Sequence, residues 1–329
     1  MFKYILKRIG ISILILLGVS FILYALLRCM PTDFVEAKIL ALNTSGNTVT
    51  EEFKQQMYKT YGLDGNIIEG YLSWIKNICR FDFGRSFISQ RTVVSEIFNA
   101  DRIGTSFLVA AVATVFEFLI AIPLGITAAT HQYSLRDYLV TVLVLIGISL
   151  PSFFFGQMLK DLFANKLGWF PVAGIRDPNF TPSNWWESTG DYLHHMFLPI
   201  LTVVILSIGG RMRMTRTNML EVLNSDYIRT ARAKGLKEGK VIYKHAFRNT
   251  MIPLVTSLAG LIPSLFSGAM ITEQVFNLTG IGNYALTAMT QGDIPVIMTY
   301  NMFLEVLSVT GVLLADLMYA VVDPRVKLA

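Results

Sequence analysis

Ser225-Asp226-Tyr227-Ile228-Arg229-Thr230-Ala231-Arg232-Ala233-Lys234-Gly235 is a polar, basic stretch set between long apolar runs, and its reading decides the fold. The stretch reads as a short helix over 227–234. Ser225 or Asp226 suits the capping position at its start, and Gly235 suits a left-handed end. Eight residues reach only ~12 Å, too short to persist alone in water, so such a helix needs a partner surface. The small side chains of Ala231 and Ala233 let its backbone lie close in a groove, and Arg229, Arg232 and Lys234 suit acidic groups there. A solvated basic loop drawn to anionic lipid headgroups is the alternative that physics alone leaves open.

Working outward, the flanks are lipid-like. Of 329 residues 53% are apolar and 16% charged, against about 25% charged in an average globular chain. Residues 9–27 carry no charge over 19 positions and reach ~28 Å as a helix, about one hydrocarbon core. A secretory signal has an apolar core of about 7–15 residues and a small-residue cleavage site. Here Arg28-Cys29 follows instead, so the segment reads as a retained first helix. Further spans are predicted over 103–130, 138–159, 196–210, 251–272 and 294–322, making six. Pro123, Pro151, Pro253 and Pro263 lie within them, which membrane bundles tolerate. The expected fold is therefore an all-α membrane protein with six transmembrane helices. Its parts are a first helix (1–28), an extracytoplasmic subdomain (29–100), a core (101–322) with a cytoplasmic loop over 211–250, and a tail (323–329).

Orientation follows from the basic residues. The segment 211–248 holds ten Lys and Arg, whereas 273–293 holds none. Positive loops stay in the cytoplasm, so both termini are expected there and the chain is expected to cross the membrane several times. The net charge of +5 sits in loops between apolar spans and does not point to nucleic acid. Cys29 and Cys79 exclude a disulfide framework. A bond between them is one open option, since both are placed outside. His131, His194, His195 and His245 form no metal-ligand constellation, and no nucleophilic triad can be assembled. Gly235-Leu-Lys-Glu-Gly239-Lys240 has one residue too few between its glycines for a phosphate loop, and Val241 follows the lysine. No catalytic residue, metal or cofactor is expected in this chain.

Three acids lie inside apolar spans: Glu117, Glu305 and Asp316. A charge at the bilayer centre costs about 2.5–3.5 kcal/mol on insertion scales, so such groups face protein or a water path. Glu117 and Glu305 are candidates for lining a substrate path, with a hydrogen-bonded or protonated bundle carboxyl as the alternative. Asp316 reads as structural.

The run Asp226 to Leu236, then His245-Ala-Phe-Arg-Asn249 and Ile252-Pro253, resembles the cytoplasmic loop of ABC importer permeases, in particular the dipeptide, oligopeptide and nickel branch. The resemblance extends along the chain. It takes in Leu27-Arg-Cys-Met-Pro31, Tyr61-Gly-Leu-Asp64, Phe83-Gly-Arg-Ser86 and Ile122-Pro-Leu-Gly125. It continues through Val275-Phe276 with Gly280-Ile-Gly282, Asp293-Ile-Pro-Val296, Asp316 and Asp323-Pro-Arg325. Arg229-Thr230-Ala231 departs from the strict Glu-Ala-Ala pattern of the family loop. The resemblance implies a type I importer transmembrane fold and a coupling helix formed by Asp226, Tyr227, Arg229, Thr230, Ala231, Arg232, Ala233 and Gly235. It implies four kinds of partner: a second homologous permease, two ATPase subunits that hold ATP and Mg, an extracytoplasmic substrate-binding protein, and the lipid bilayer. It also implies import of peptides by alternating access, with nickel chelates or glutathione-like peptides as alternative cargo. An ion-coupled transporter using Glu117, Glu305 and Asp316 as a proton relay is the competing reading from another class.

Overall fold

The computed structural model describes residues 2–28, 50–51, 55, 58, 65–257 and 260–322. Cys29, the segments 29–31 and 61–64, and the tail 323–329 lie outside them, as does the side chain of Asp316. The principal helices, in chain order, are α1 (Phe2–Arg28), α2 (Ile67–Ile78), α3 (Val93–Ile97), α4 (Ala100–Thr130), α5 (Leu135–Ser149), α6 (Ser152–Leu159) and α7 (Trp185–Leu223). There follow α8 (Asp226–Ala233), α9 (Glu238–Lys240), α10 (Arg248–Ser257), α11 (Leu261–Ser267), α12 (Met270–Val275), α13 (Ile281–Gln291) and α14 (Ile294–Val322). Wider π-helical turns continue α6 over Lys160–Lys166 and join α9 to α10 over Val241–Phe247. Among the described residues there is no β-strand, only an isolated bridge between Arg85 and Thr92.

Four stretches among the described residues are long and apolar enough to cross a membrane: Leu6–Leu26, Val93–Thr130, Trp185–Leu223 and Ile294–Leu314. The other two predicted spans, 138–159 and 251–272, are helical but broken at or near the prolines within them. Leu150 and Pro151 leave the helical conformation between α5 and α6, because a proline biases the residue before it toward extended backbone. The 251–272 span is divided among α10, α11 and α12. The fourth span is longer than predicted. Instead of 15 residues it is the 39-residue α7, which runs through Arg211, Arg213 and Arg216. The first part of the expected cytoplasmic loop is therefore helix. Asn184 starts α7 by accepting the Glu187 amide at 2.9 Å, while the Glu187 carboxylate accepts the Ser183 amide at 2.8 Å, a reciprocal cap of the kind that begins helices firmly.

The chain forms two compact units. One comprises residues 1–103 and 284–310 within the described range. In it, α1 meets α2 through Tyr24, Tyr71 and Trp74, and the Tyr71 hydroxyl donates to the Leu17 carbonyl at 2.9 Å. The outward side of α1, with Leu14, Ile22 and Leu26 exposed, is the surface expected of a helix against lipid. The other unit comprises 104–283 and 311–322 within the described range. There α7 packs against α4 and α5. At Gly125 a Cβ would stand 2.7 Å from Thr215 Cβ and 2.8 Å from the Met212 carbonyl oxygen. The glycine thus permits the α4–α7 approach, and any side chain would force the helices apart.

Candidate functional site

The short helix α8 forms where the sequence places it, one residue earlier at each end than predicted. Gly235 closes it with φ 73°, the left-handed conformation that favours glycine. At the start, Ser225 holds the cap position by backbone alone. Its hydroxyl donates to the Val222 carbonyl at 2.6 Å and caps nothing. The amphipathicity of α8 follows from an i, i+3 pair. Ile228 and Ala231 are buried with Met219 and Leu223 of α7, Val241 and Ala246 of the π turn, and Ile126 and Ala129 of α4. This corrects the placement of Ala231, which packs against its own chain and not into a partner's groove. The outward face carries Asp226, Tyr227, Arg229, Thr230 and Ala233, with Arg232, Lys234 and Gly235 exposed beside it.

Two ion pairs shape that outward surface. Arg229 lies 3.8 Å from Asp226 across one turn, with both side chains in solvent, so it contributes little. Arg232 reaches across the Gly235 turn to Glu238 at 2.7 Å and clamps both ends of the turn. The guanidinium holds the Glu238 carboxyl below the ordinary glutamate range. The exposed surface of this eight-residue helix thus presents Tyr227, Thr230, Ala233 and mixed charge, while its apolar side is already seated on its own chain.

The predicted substrate-path acids have different surroundings. Glu117 of α4 is buried and accepts Arg211 Nε at 2.9 Å. The Arg211 guanidinium also lies 4.5 Å from the centre of the Phe118 ring. Glu305 of α14 has one carboxyl oxygen shielded from solvent and without a hydrogen-bond partner among the described residues. His194 and His195 serve α7 locally: His195 Nδ1 stands 3.1 Å from Asp191, and His194 Nε2 stands 2.8 Å from the Trp169 carbonyl oxygen.

Two further carboxylates are also fixed: Asp137, which sequence reasoning passed over, and Asp293, which it quoted only as part of the resemblance. Asp137, at the start of α5, takes both Arg216 Nε and Nη2 of α7 at 2.9 and 2.8 Å. This fork geometry is the strongest form of carboxylate pairing. Asp293, just before α14, accepts the Ser86 hydroxyl at 2.5 Å and the Phe87 amide at 3.0 Å. For Asp137 the available signal was the spacing of acids and arginines on helices, which is readable only once α7 is known to be continuous.

A family model for the binding-protein-dependent transport system inner membrane component matches residues 121–328, and a model for the N-terminal part of such components matches residues 1–120. The chain is 37% identical over 327 residues to the oligopeptide transport system permease protein AppB of Bacillus subtilis, covering 99% of this chain and 100% of that one. It is 28% identical over 356 residues to the peptidoglycan transport system permease protein YejB of Agrobacterium fabrum, covering 98% and 97%. The inward-facing MetNI methionine ABC transporter structure matches with a TM-score of 0.53 at 16% identity, over 68% of this chain and 94% of that chain. At that identity the likeness concerns the fold alone.

Proposed function

We propose, from the premise that this chain belongs to the family of binding-protein-dependent transport system inner membrane components, that it imports peptides as one of two pore-forming permease subunits. Family membership makes it a transport subunit with the type I ABC importer fold, and ATP hydrolysis belongs to separate ATPase subunits. The oligopeptide permease relative, matched over its whole length, supports peptide as the cargo. In this reading an extracytoplasmic binding protein delivers the peptide. Two ATPases with ATP and Mg dock on the cytoplasmic side, where both termini lie, and their closure drives alternating access.

The observation that carries the coupling role is α8. Its apolar face is seated on α4, α7 and the following π turn, so a push on its outward face reaches those helices directly. Replacing Tyr227, which is 48% exposed, with Ala is expected to cut peptide-stimulated ATP hydrolysis by about tenfold while insertion stays intact, because hot spots of this kind centre on exposed aromatics. Normal stimulation in that variant, or assembly with no peptide stimulation in the unaltered complex, would count against the coupling role and the cargo respectively.

Nickel chelates and glutathione-like peptides are the cargo alternatives, decided by binding measurements on the partner binding protein. A proton-relay transporter is less well supported, because Glu117 is already matched by Arg211. Glu305 is the acid proposed for the substrate path. Its replacement by Gln is expected to lower uptake of peptides with a free amino terminus more than of N-acetylated ones, and equal uptake of both would return Glu305 to bundle packing.

A further inference from the structure

The linker between α11 and α13 contains a carboxylate that the importer reading does not use. Glu273, in α12, is fully buried. One of its oxygens accepts the Ser106 hydroxyl of α4 at 2.7 Å, and the other accepts the Asn283 amide at 2.8 Å. The backbone amides of Ala269 and Gly282 lie near the same carboxyl. Ser106 is itself held, since its oxygen accepts the Ile281 amide at 2.9 Å. On the far side of α12, Lys160 donates to the Val275 carbonyl at 2.8 Å. Among the described residues, no cation neutralises Glu273, so the carboxylate is balanced by hydroxyl and backbone donors.

The backbone around it is shaped to let the carboxylate in. A Cβ at Gly268 or Gly280 would overlap its oxygens, and one at Gly282 would lie 2.9 Å from Oε2. Gly268 also has φ 73°. One side chain therefore touches the start of α4, the start of α12 and the first turn of α13. An apolar residue of similar size would fill the volume, but the converging donors would lose their acceptor, which is the costly event in a buried site. A glutamine offers one acceptor oxygen where the carboxylate offers two.

We propose that Glu273 is a positioning residue for transport: its carboxylate pins the linker 268–283 to Ser106, so that α4, α12 and the start of α13 move together during the cycle. The inference goes beyond the cargo reading and rests only on the chain being an importer permease. A pinned linker passes displacement of α4 directly to the segment leading into the last span. An unpinned one absorbs it.

The test uses the full complex with its ATPases and binding protein, comparing E273Q, S106A and the double variant. In E273Q the maximal rate of cargo-stimulated ATP hydrolysis is expected to fall about tenfold, the change that one buried donor left without its acceptor corresponds to. Basal hydrolysis and the half-saturating concentration of binding protein should stay as in the unaltered complex. S106A should fall in the same direction and less. The double variant should lose less than the two single losses combined, since both changes act on one hydrogen-bonded network. Hydrogen exchange at the Ile281, Gly282 and Asn283 amides should quicken in each variant, a readout that needs no cargo and stands even if peptide is the wrong one. Unchanged maximal rate and unchanged exchange in E273Q would overturn the proposal, as would strictly additive losses in the double variant. Should E273Q fail to assemble, S106A, which keeps the carboxylate, decides by the same two readouts.

Discussion

Of the buried carboxylates among the described residues, Glu96 of the short α3 meets Arg102, and four others divide into two pairs by what surrounds them. Glu117 and Asp137 each meet an arginine of α7, Arg211 and Arg216. Glu273 and Asp293 each meet one serine hydroxyl and backbone amides, in stretches where helices are short and interrupted. An arginine joins one side chain to another, so the helix backbones beneath keep some freedom to slide. Amide donors belong to the main chain itself, so a carboxylate that takes them fixes the path of the chain. At these four sites the long helices α4, α5 and α7 are linked by their side chains, and the stretches around Glu273 and Asp293 are held by their backbones.

The largest effect that would break this contrast is expected at Gly280. Replacement by Ala puts a methyl where the Glu273 carboxylate sits, and a loss of about 3 kcal/mol or more is expected from overpacking plus unpaired donors. Gly190, within α7 and with open space where a methyl would stand, is the control; G190A is expected to melt at or slightly above the temperature of the unaltered protein. Equal melting of the two variants in detergent would remove the case for a backbone-held linker.

A sharper division comes from apolar double replacements. Changing Glu117 and Arg211 together to Leu and Met removes both charges. It is expected to cost about 1 kcal/mol or less, whereas E117Q alone, leaving Arg211 buried, costs about 3 kcal/mol. The matching change at Glu273 and Ser106, to Leu and Ala, is expected to stay as damaging as E273Q, because the backbone amides remain. Thermal unfolding of the four variants decides it: equal tolerance of the two double changes would erase the distinction.

The smallest effect is at the Gly235 turn. Arg232 lowers the folded-state pKa of Glu238. The contribution of this pair is therefore complete above the ordinary glutamate pKa and is lost as pH falls through the lowered folded value. Both side chains are about half exposed, so solvent screening keeps the contribution to a few tenths of a kcal/mol. Amide exchange of α8, measured from about pH 7 down to about pH 3, should lose its difference from the E238Q variant only at the acid end. A constant difference over the range would argue against a clamp.

The sequence told most where chemistry is local. The apolar runs, the short helix and its glycine end depend on neighbours in the chain, and α8 is displaced by a single residue from its predicted bounds. The inward turn of Ala231 was misread as contact with a partner, although its place three positions after Ile228 sets both on one face. What could not be read depends on distant partners. Arg211 and Arg216 look like the end of a span until Glu117 and Asp137 are brought beside them. Glu273 looks like an ordinary loop acid, since it falls just outside the apolar run. Only the glycines at 268, 280 and 282 hint that something must fit against them.

The length of α7 has a mechanical consequence. Thirty-nine residues make a rod of about 58 Å, while the hydrocarbon layer is about 30 Å thick. Nearly half of the rod therefore stands clear of the oily layer, with α8 at its tip. A swing of about 10° around its midpoint carries the tip some 5 Å, close to one helical turn of about 5.4 Å. A force applied at that tip turns the rest of the helix through a long arm, and the far end moves as far in the opposite direction.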